Sequence, residues 1–301
     1  MLSELDINNL IDDLRIITWE AADILLYYSQ MLKNPNHEIS IIKSSNNEDP
    51  VTLADLKVNE KIIKGINQNK GNFNWEILSE ENVKIESNSS NREADFLWVL
   101  DPLDGTKDFI QGTENYAMHL ALNFKQKPII GFVLIPNRNE LWISNGKKVW
   151  CENRNGNYLS NNLSNNLSNN KSLNEMIIVT SKNHRNNTLE NLINKINFKK
   201  KITMGSIGCK IASILRGESD IYICLSLPGK TTPKDWDFAA PEAILKAAGG
   251  AITDIENRDL SYNHPNFEQG GIIIASNDKQ NHENICLQIK EIIDKFDMYP
   301  D

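Results

Sequence analysis

The segment that most constrains how this chain can fold lies at residues 98–110 and reads WVLDPLDGTKDFI. It opens on an apolar run typical of a buried strand. We predict that the strand ends at Asp101, because Pro102 cannot donate a hydrogen bond to a sheet ladder. Gly105 then permits a tight backbone path. Asp101 and Asp104 are therefore expected on a sharp turn at the end of a strand.

This turn offers oxygen ligands of the kind that hard cations such as Mg²⁺ require in a compact cluster. The side chains of Asp101 and Asp104 and the carbonyl of Leu103 could face one point. Thr106 follows where a helix is predicted to begin, and its hydroxyl and the free N–H groups there suit a phosphate. Taken alone, the segment is also explained by ordinary turn chemistry.

Composition and charge exclude some classes of partner. The chain has 301 residues, 40% hydrophobic and 24% charged, which is enough for one large domain or two smaller ones. A net charge of -8 disfavours a nucleic-acid partner. The widely spaced cysteines and the lack of a signal-peptide pattern indicate a cytoplasmic protein. Every apolar run is shorter than the roughly 20 residues that cross a bilayer, so we expect no membrane partner. The oligomeric state stays open.

The first half of the chain is predicted to be α+β, with helices followed by an antiparallel sheet. Residues 4–32 have the apolar spacing of one long helix, and a second helix begins after Thr52 with Asp55 as its capping partner. Strands are predicted over 37–43, 75–81, 115–124, 127–145 (two strands) and 147–154, and a polar loop over 82–95.

Two further carboxylates fall at the ends of these elements. The strand over 75–81 ends in Glu80 and Glu81, and the following loop is long enough to fold back, so Glu80 could meet Asp101 and Asp104. Taken alone, Glu80 and Asp55 are each also explained by a purely structural role. Glu80 could be part of a solvated strand end, and Asp55 could simply stabilise the helix dipole.

The second half alternates strands and helices, as in an α/β unit. Asp237 is predicted to precede a helix over 238–248, whose N-terminus would stabilise it and any bound anion. Gly205 and Ser206 belong to a flexible turn that opens a helix through Leu215, and Lys210 in that helix looks like a surface lysine. Other elements are strands at 176–184, 220–225, 251–255 and 270–277, and helices at 187–197 and 280–296.

Two domains are predicted, at 1–157 (α+β, with most candidate ligands) and 158–301 (α/β, closing the site). The repeated Asn and Ser residues of 160–173 indicate a flexible surface loop near their seam. Motifs of serine hydrolases, zinc proteases, Walker-type nucleotide sites and dinucleotide sites are absent, and the Asp-x-x-Asp spacing does not fit a phospho-aspartate enzyme. The remaining carboxylates suit two or three Mg²⁺ ions rather than zinc.

Over nearly its whole length the sequence resembles the Mg²⁺-dependent phosphomonoesterases related to inositol monophosphatase. The motifs are DPVTLAD at 49–55, SEE at 79–81, DPLDGTKDF at 101–109, GSIGCKIASILRGESDIY at 205–222 and WDFAAPEAILKAAGG at 236–250. Lys107 and Asp108 make it most similar to the CysQ-type 3'(2'),5'-bisphosphate nucleotidases. Pro241, the loop at 226–235 and the Asn-rich insert depart from the family pattern, which bears on substrate preference.

The resemblance implies a layered α/β/α/β/α sandwich with the active site between its halves. It implies that Glu80, Asp101 and the Leu103 carbonyl bind one Mg²⁺. It implies that Asp101, Asp104 and Asp237 bind a second Mg²⁺. Asp55 would orient waters or help to hold a weaker third ion. Glu80 and Thr106 would then activate a water. Expected substrate-binding residues are Asp104, Gly105, Thr106, Ser206, Lys210 and Asp237.

The implied reaction is hydrolysis of the 3'-phosphate of 3'-phosphoadenosine 5'-phosphate, the by-product of sulfate-donor use, to AMP and phosphate. The implied mechanism includes no covalent phospho-enzyme. Lys210 or Lys230 would bind the 5'-phosphate. The alternatives are an inositol monophosphatase-like enzyme acting on a range of sugar phosphates, and a non-catalytic phosphonucleotide sensor that keeps the fold.

Overall fold

The computed structural model describes residues 2–33, 42–44, 51–69, 73–86, 94–160, 171–183, 186–226 and 232–298. The predicted strand at 37–43 and the predicted loops at 160–173 and 226–235 therefore lie only partly within the described residues. Lys230 lies outside them. Within the described part of the chain, no helix is both long and apolar enough to cross a membrane.

The helices fall close to the ranges predicted from periodicity, with one addition. They are α1 (Glu4–Leu32), α2 (Leu53–Gln68), α3 (Glu80–Glu86), α4 (Thr106–Ile110), α5 (Asn187–Ile196), α6 (Ile207–Leu215), α7 (Asp235–Ala247) and α8 (His282–Phe296). The predicted polar loop over 82–95 is wrong in its first part, because α3 begins directly after the strand and continues to Glu86.

The strands form a short pair and two larger sheets. They are β1 (Ile42–Ser44), β2 (Val51–Thr52), β3 (Trp75–Ser79), β4 (Phe96–Asp104), β5 (Ala117–Phe124), β6 (Lys127–Ile135), β7 (Glu140–Ser144), β8 (Val149–Glu152), β9 (Tyr158–Ser160), β10 (Ile177–Ser181), β11 (Lys200–Met204), β12 (Ile221–Leu225), β13 (Ala251–Asp254) and β14 (Ile272–Ser276). The first sheet runs β3-β4-β5-β6-β7-β8-β9 and the second β11-β10-β12-β14-β13.

The first sheet departs from the prediction at one pairing. Its strands are antiparallel from β4 to β9, but β3 runs parallel to β4. The polypeptide between these two strands contains α3, which gives the chain the length that a parallel crossover needs. As a result, the carboxyl ends of β3 and β4 lie side by side.

The elements stack in five layers, which confirms the predicted α/β/α/β/α sandwich. One apolar cluster joins α1 and α2 to one face of the first sheet, and a second joins the opposite face to α6, α7 and the second sheet. A third cluster joins the outer face of the second sheet to α5 and α8. Alternation along β4 serves both sides of the first sheet, since Trp98 and Leu100 face α1 and α2 whereas Leu97 and Val99 face the middle layer.

The domain boundary predicted after residue 157 stays a prediction. The first sheet extends to Ser160 in β9, and the second begins at Ile177 in β10. Residues 161–170, which make up most of the predicted loop between them, lie outside the described residues.

Candidate active site

A cleft opens where the carboxyl ends of β3 and β4 face the N-termini of α6 and α7. The parallel pairing places Ser79 opposite Leu100, so Glu80 and Asp101 are each the next residue along neighbouring strands. Both residues line the cleft. Glu80 Oε1 also lies 2.9 Å from Lys84 Nζ, one turn further along α3. The sequence prediction that two strand ends deliver Glu80 and Asp101 to one place agrees with this geometry.

The turn after Asp101 differs from the prediction that β4 ends there. The strand continues to Asp104, but its register against β5 shifts between Asp101 and Asp104 because Pro102 has no N–H group for the ladder. Within the shifted segment, Asp101 Oδ1 accepts from Leu103 N at 2.9 Å. The Asp side chain thus closes a turn on its own backbone.

Gly105 makes the sharp path into α4 possible. Its φ of +86° lies in the left-handed region, and a Cβ there would lie 2.9 Å from the carbonyl oxygen of Asn115. Thr106, the first residue of α4, donates from Oγ1 to the Leu103 carbonyl at 2.9 Å. The Leu103 carbonyl, which is predicted to bind a metal ion, is therefore hydrogen-bonded to the Thr106 hydroxyl, which is predicted to position a water.

Asp104 connects β4 to the start of α6 in the second half of the chain. Its Oδ2 accepts from Ser206 Oγ at 2.7 Å, from Ile207 N at 2.5 Å and from Gly208 N at 3.3 Å. Ser206 is the N-cap of α6 and also accepts from Cys209 N at 3.1 Å. Ser206 is fully buried behind Asp104, so the structure does not bring this predicted substrate-binding residue to the cleft surface.

Asp237 lies in the first turn of α7 rather than before the helix as predicted. The helix begins at Asp235, and Asp237 Oδ2 accepts from Lys234 N at 2.6 Å. This bond satisfies one of the free N–H groups of the helix start, which explains why the helix extends three residues further than its apolar pattern. Pro241 lies inside the same helix.

Asp101, Asp104 and Asp237 come together at one end of the cleft, with one carboxylate oxygen of each within 4.8 Å of the others. Burial raises the pKa of Asp101, and the neighbouring Glu80, Asp104 and Asp237 carboxylates raise it further. Burial followed by the Asp104 carboxylate raises the pKa of Asp237. Mutually repelling buried carboxylates are stabilised by a cation, and an all-oxygen set suits Mg²⁺. The residues present therefore fit the metal that the sequence predicts.

Asp55 stands behind this group rather than on the cleft surface. It is 1% exposed, and its Oδ2 accepts from Thr52 N at 2.7 Å and from Thr52 Oγ1 at 2.6 Å, which is the predicted capping arrangement. Burial raises the pKa of Asp55 to about 8, and the Glu81 and Glu80 carboxylates contribute to this shift. Its role in orienting waters or holding an ion stays a prediction.

Lys210 is buried in the middle layer, so its interpretation as a surface lysine is wrong. It is 1% exposed, lines the cleft, and donates from Nζ to the Gly205 carbonyl at 2.7 Å. Its Nζ also lies 5.2 Å from the centre of the Tyr222 ring. Burial lowers the pKa of Lys210, and the Asp104 carboxylate opposes this shift. Leu189, Tyr222 and Leu225 make the nearby wall of the cleft largely apolar.

His119 is a neighbour of the carboxylates that sequence reasoning missed. It is fully buried in β5, with Nε2 3.3 Å from Asp104 Oδ2 and Nδ1 3.3 Å from the Trp236 carbonyl oxygen. Burial lowers its pKa. The signal in the sequence is a histidine in a largely apolar strand, which does not identify its partners.

Comparison with known proteins gives one family match. The family model described as the inositol monophosphatase family matches residues 13–294. A 3'(2'),5'-bisphosphate nucleotidase of Dictyostelium discoideum is 30% identical over 290 residues, covering 89% of this chain and 83% of that protein. The 3'(2'),5'-bisphosphate nucleotidase CysQ of Buchnera aphidicola is 30% identical over 240 residues, covering 79% of this chain and 80% of that protein.

Other alignments are shorter, or concern the fold alone. Those with four further relatives, from mouse, Arabidopsis thaliana, rat and D. discoideum, span between 57% and 68% of those proteins' lengths. Among solved structures, the Thermotoga maritima IMPase aligns with a TM-score of 0.71 at 21% identity, covering 96% of this chain and 99% of that one. At this identity the likeness shows a common fold.

Proposed function

The chain belongs to the inositol monophosphatase family, and we propose that it is a Mg²⁺-dependent 3'(2'),5'-bisphosphate nucleotidase. Its substrate would be 3'-phosphoadenosine 5'-phosphate, cleaved to AMP and phosphate. The observation that carries this proposal is a cluster of three carboxylates, the buried Asp101 and Asp104 and the partly buried Asp237, at one end of a cleft. The other wall of this cleft is apolar and holds the buried Lys210. The carboxylate end of the cleft suits a phosphate that is held through cations, and the apolar wall suits a nucleoside.

The metal ligands that we propose are the groups named from the sequence. Glu80, Asp101, the Leu103 carbonyl, Asp104 and Asp237 would hold two Mg²⁺ ions, with Asp55 behind them. When bound, Mg²⁺ neutralises charge on the phosphate and lowers the pKa of a water molecule. The names of the Dictyostelium and Buchnera relatives support the bisphosphate nucleotidase class.

Glu80 and Thr106 would place the attacking water and remove its proton. The Glu80 side chain is 13% exposed and lines the cleft together with the three aspartates. The Thr106 hydroxyl donates a hydrogen bond to the Leu103 carbonyl, and its oxygen can still accept a hydrogen bond from water. The N–H groups of Gly105 and Thr106 would donate to phosphate oxygens. Proton removal by a positioned carboxylate is ordinary general-base chemistry.

Lys210 would pair with the 5'-phosphate. Lys210 lines the cleft, and the Gly205 carbonyl accepts from one of its three N–H donors. Among the described residues, no second hydrogen-bond acceptor of Nζ is observed. A buried ammonium recognises an anionic group strongly because water competes less there.

All four cysteines are free thiols, which supports the proposed cytoplasmic setting.

A substrate panel tests the proposal. Phosphate release should be fastest from 3'-phosphoadenosine 5'-phosphate, with kcat/KM about tenfold or more above that for 3'-AMP, since the latter lacks the 5'-phosphate and forfeits a charge-assisted contact. Inositol 1-phosphate and fructose 1,6-bisphosphate should be poorer still. The Lys210→Met substitution should lower kcat/KM for 3'-phosphoadenosine 5'-phosphate more than kcat/KM for 3'-AMP, so the ratio of the two values should fall. Clear preference for either sugar phosphate would refute the nucleotide assignment in favour of a broad sugar-phosphate phosphatase.

A further inference from the structure

A buried carboxylate outside the proposed active site joins the two halves of the chain at the mouth of the cleft. Asp108 lies two residues after Thr106 in the short helix α4 and is fully buried. It does not itself line the cleft. The proposed chemistry leaves this carboxylate without a role, although burying a charged group costs free energy unless it is well paired.

Both oxygens of Asp108 are engaged by other side chains. Oδ1 accepts from Thr113 Oγ1 at 2.5 Å and lies 3.5 Å from Lys182 Nζ, and Oδ2 accepts from Asn183 Nδ2 at 2.6 Å. Lys182 Nζ also donates to Gln111 Oε1 at 2.7 Å. Thr113 and Gln111 follow α4 in the first half of the chain, whereas Lys182 and Asn183 follow β10 in the second. Asp108 therefore ties the end of β10 to α4.

The same carboxylate packs against the turn that leads into α6. A Cβ on Gly205 would lie 2.1 Å from Asp108 Oδ2, so a side chain at this position would displace the carboxylate. The Gly205 carbonyl in turn accepts the hydrogen bond from Lys210 Nζ. The position of Asp108 is thereby coupled to the position of the lysine in the cleft.

The segment that Asp108 holds is part of the cleft wall. Ser181 at the end of β10 and Asn183 just after it line the cleft, as does Lys107 of α4. A hydrogen bond to an ionised carboxylate is stronger than a neutral one, so the Asn183 amide is held in a fixed orientation. Asp108 thus holds in place a residue that lines the cleft.

We propose that Asp108 is a positioning residue that holds the segment of Lys182 and Asn183 against α4, and so fixes the wall that receives the substrate beyond the hydrolysed phosphate. This inference rests on the proposed function, in which that part of the substrate is the nucleoside. The side-chain partners of Asp108 are Thr113, Lys182 and Asn183 rather than the carboxylate cluster. Loss of Asp108 therefore weakens binding of a large substrate more than it slows the reaction.

An Asp108→Asn variant tests this inference, because it keeps the shape of the side chain but removes its charge and one acceptor oxygen. Steady-state kinetics are measured with 3'-phosphoadenosine 5'-phosphate and with p-nitrophenyl phosphate, a small ester without a nucleoside. The KM for the nucleotide should rise about tenfold, as expected for the loss of a charge-assisted contact, while kcat changes by less than about twofold. The constants for the small ester and the Mg²⁺ concentration for half-maximal activity should not change.

Asp220→Asn is a matched control at the opposite end of β10. Asp220 is also buried and accepts from Ile177 N and Lys171 Nζ, each at 2.7 Å. The same substitution there should lower the thermal stability without a selective rise in KM for the nucleotide. Asn183→Ala, which removes one partner of Asp108, should reproduce the selective rise.

Three results would overturn the inference. The first is an equal change for both substrates, the second a shift in the Mg²⁺ requirement, and the third an unchanged nucleotide KM in both the Asp108 and the Asn183 variants. If the wild-type protein instead prefers inositol 1-phosphate, the proposed function fails. Comparison of that substrate with the small ester then tests Asp108 in the same way.

Discussion

Asp104→Asn is expected to lower kcat/KM for 3'-phosphoadenosine 5'-phosphate by about 10³-fold at saturating Mg²⁺, since charge stabilisation by a bound cation is worth several kcal/mol. Oδ2 of Asp104 accepts from three donors, on Ser206, Ile207 and Gly208. The carbonyl oxygen of Asn can take this place and keep those bonds. The amide nitrogen then faces the cluster, and it has no lone pair with which to bind a cation.

The control for this variant is its stability in the presence of a chelator. Because Asp104→Asn keeps an acceptor for α6 and removes one of several repelling charges, its free energy of unfolding without metal should equal or exceed that of the wild type. A variant that folds and retains more than about a tenth of the wild-type kcat/KM would contradict the proposed ligand set.

Asp55→Asn is expected to stabilise the metal-free protein increasingly as the pH rises. Burial raises the pKa of Asp55 to about 8, whereas the ordinary carboxyl value is 3.8. Between these values the folded state holds a proton that the unfolded chain has released, so this group makes the wild type less stable with increasing pH. The stability gained by Asp55→Asn should therefore grow by about 1.4 kcal/mol per pH unit between about pH 4 and about pH 8. Denaturant unfolding in chelator at several pH values measures it.

Two comparisons make this prediction specific. Glu60 is an exposed carboxylate on the same helix, paired with Lys57 at 3.0 Å, and Glu60→Gln should show no comparable growth with pH. Saturating Mg²⁺ should stabilise the wild type at pH 8, because a ligand that binds only the folded state raises its stability. An Asp55→Asn gain that stays constant or shrinks from pH 4 to pH 8 would show that Asp55 is ionised in the folded protein.

Sequence reasoning located one half of the site because that half depends on local rules. A strand followed by Asp-Pro and Asp-Gly predicts the turn that holds Asp101 and Asp104, and the next strand end upstream supplies Glu80. Even there, β4 extends past Pro102, because pairing with β5 resumes at Asp104 after the shift in register. Local patterns fix where a strand is interrupted, but only the partner strand decides where it ends.

The other half of the site depends on how the two sheets face each other, which no local pattern encodes. Only resemblance to a family, and not spacing in the sequence, predicts that Asp237 lies close to Asp104. The sequence alone predicts an exposed Lys210, because a charged residue on a helix is usually exposed, yet every residue of α6 is buried between the two sheets. His119 contacts Asp104 and the Trp236 carbonyl only after this middle layer has formed.

Single-turnover hydrolysis tests the central claim most directly. Excess enzyme is mixed with 3'-phosphoadenosine 5'-phosphate in chelator, excess Mg²⁺ is then added, and the nucleotide and phosphate are quantified over time. We expect no hydrolysis before Mg²⁺ is added, and afterwards one AMP and one phosphate for each substrate molecule. If the nucleotide is instead recovered unchanged in the presence of Mg²⁺, the protein binds phosphonucleotides without catalytic activity. If hydrolysis proceeds equally fast in chelator, the proposed role of the carboxylate cluster is wrong.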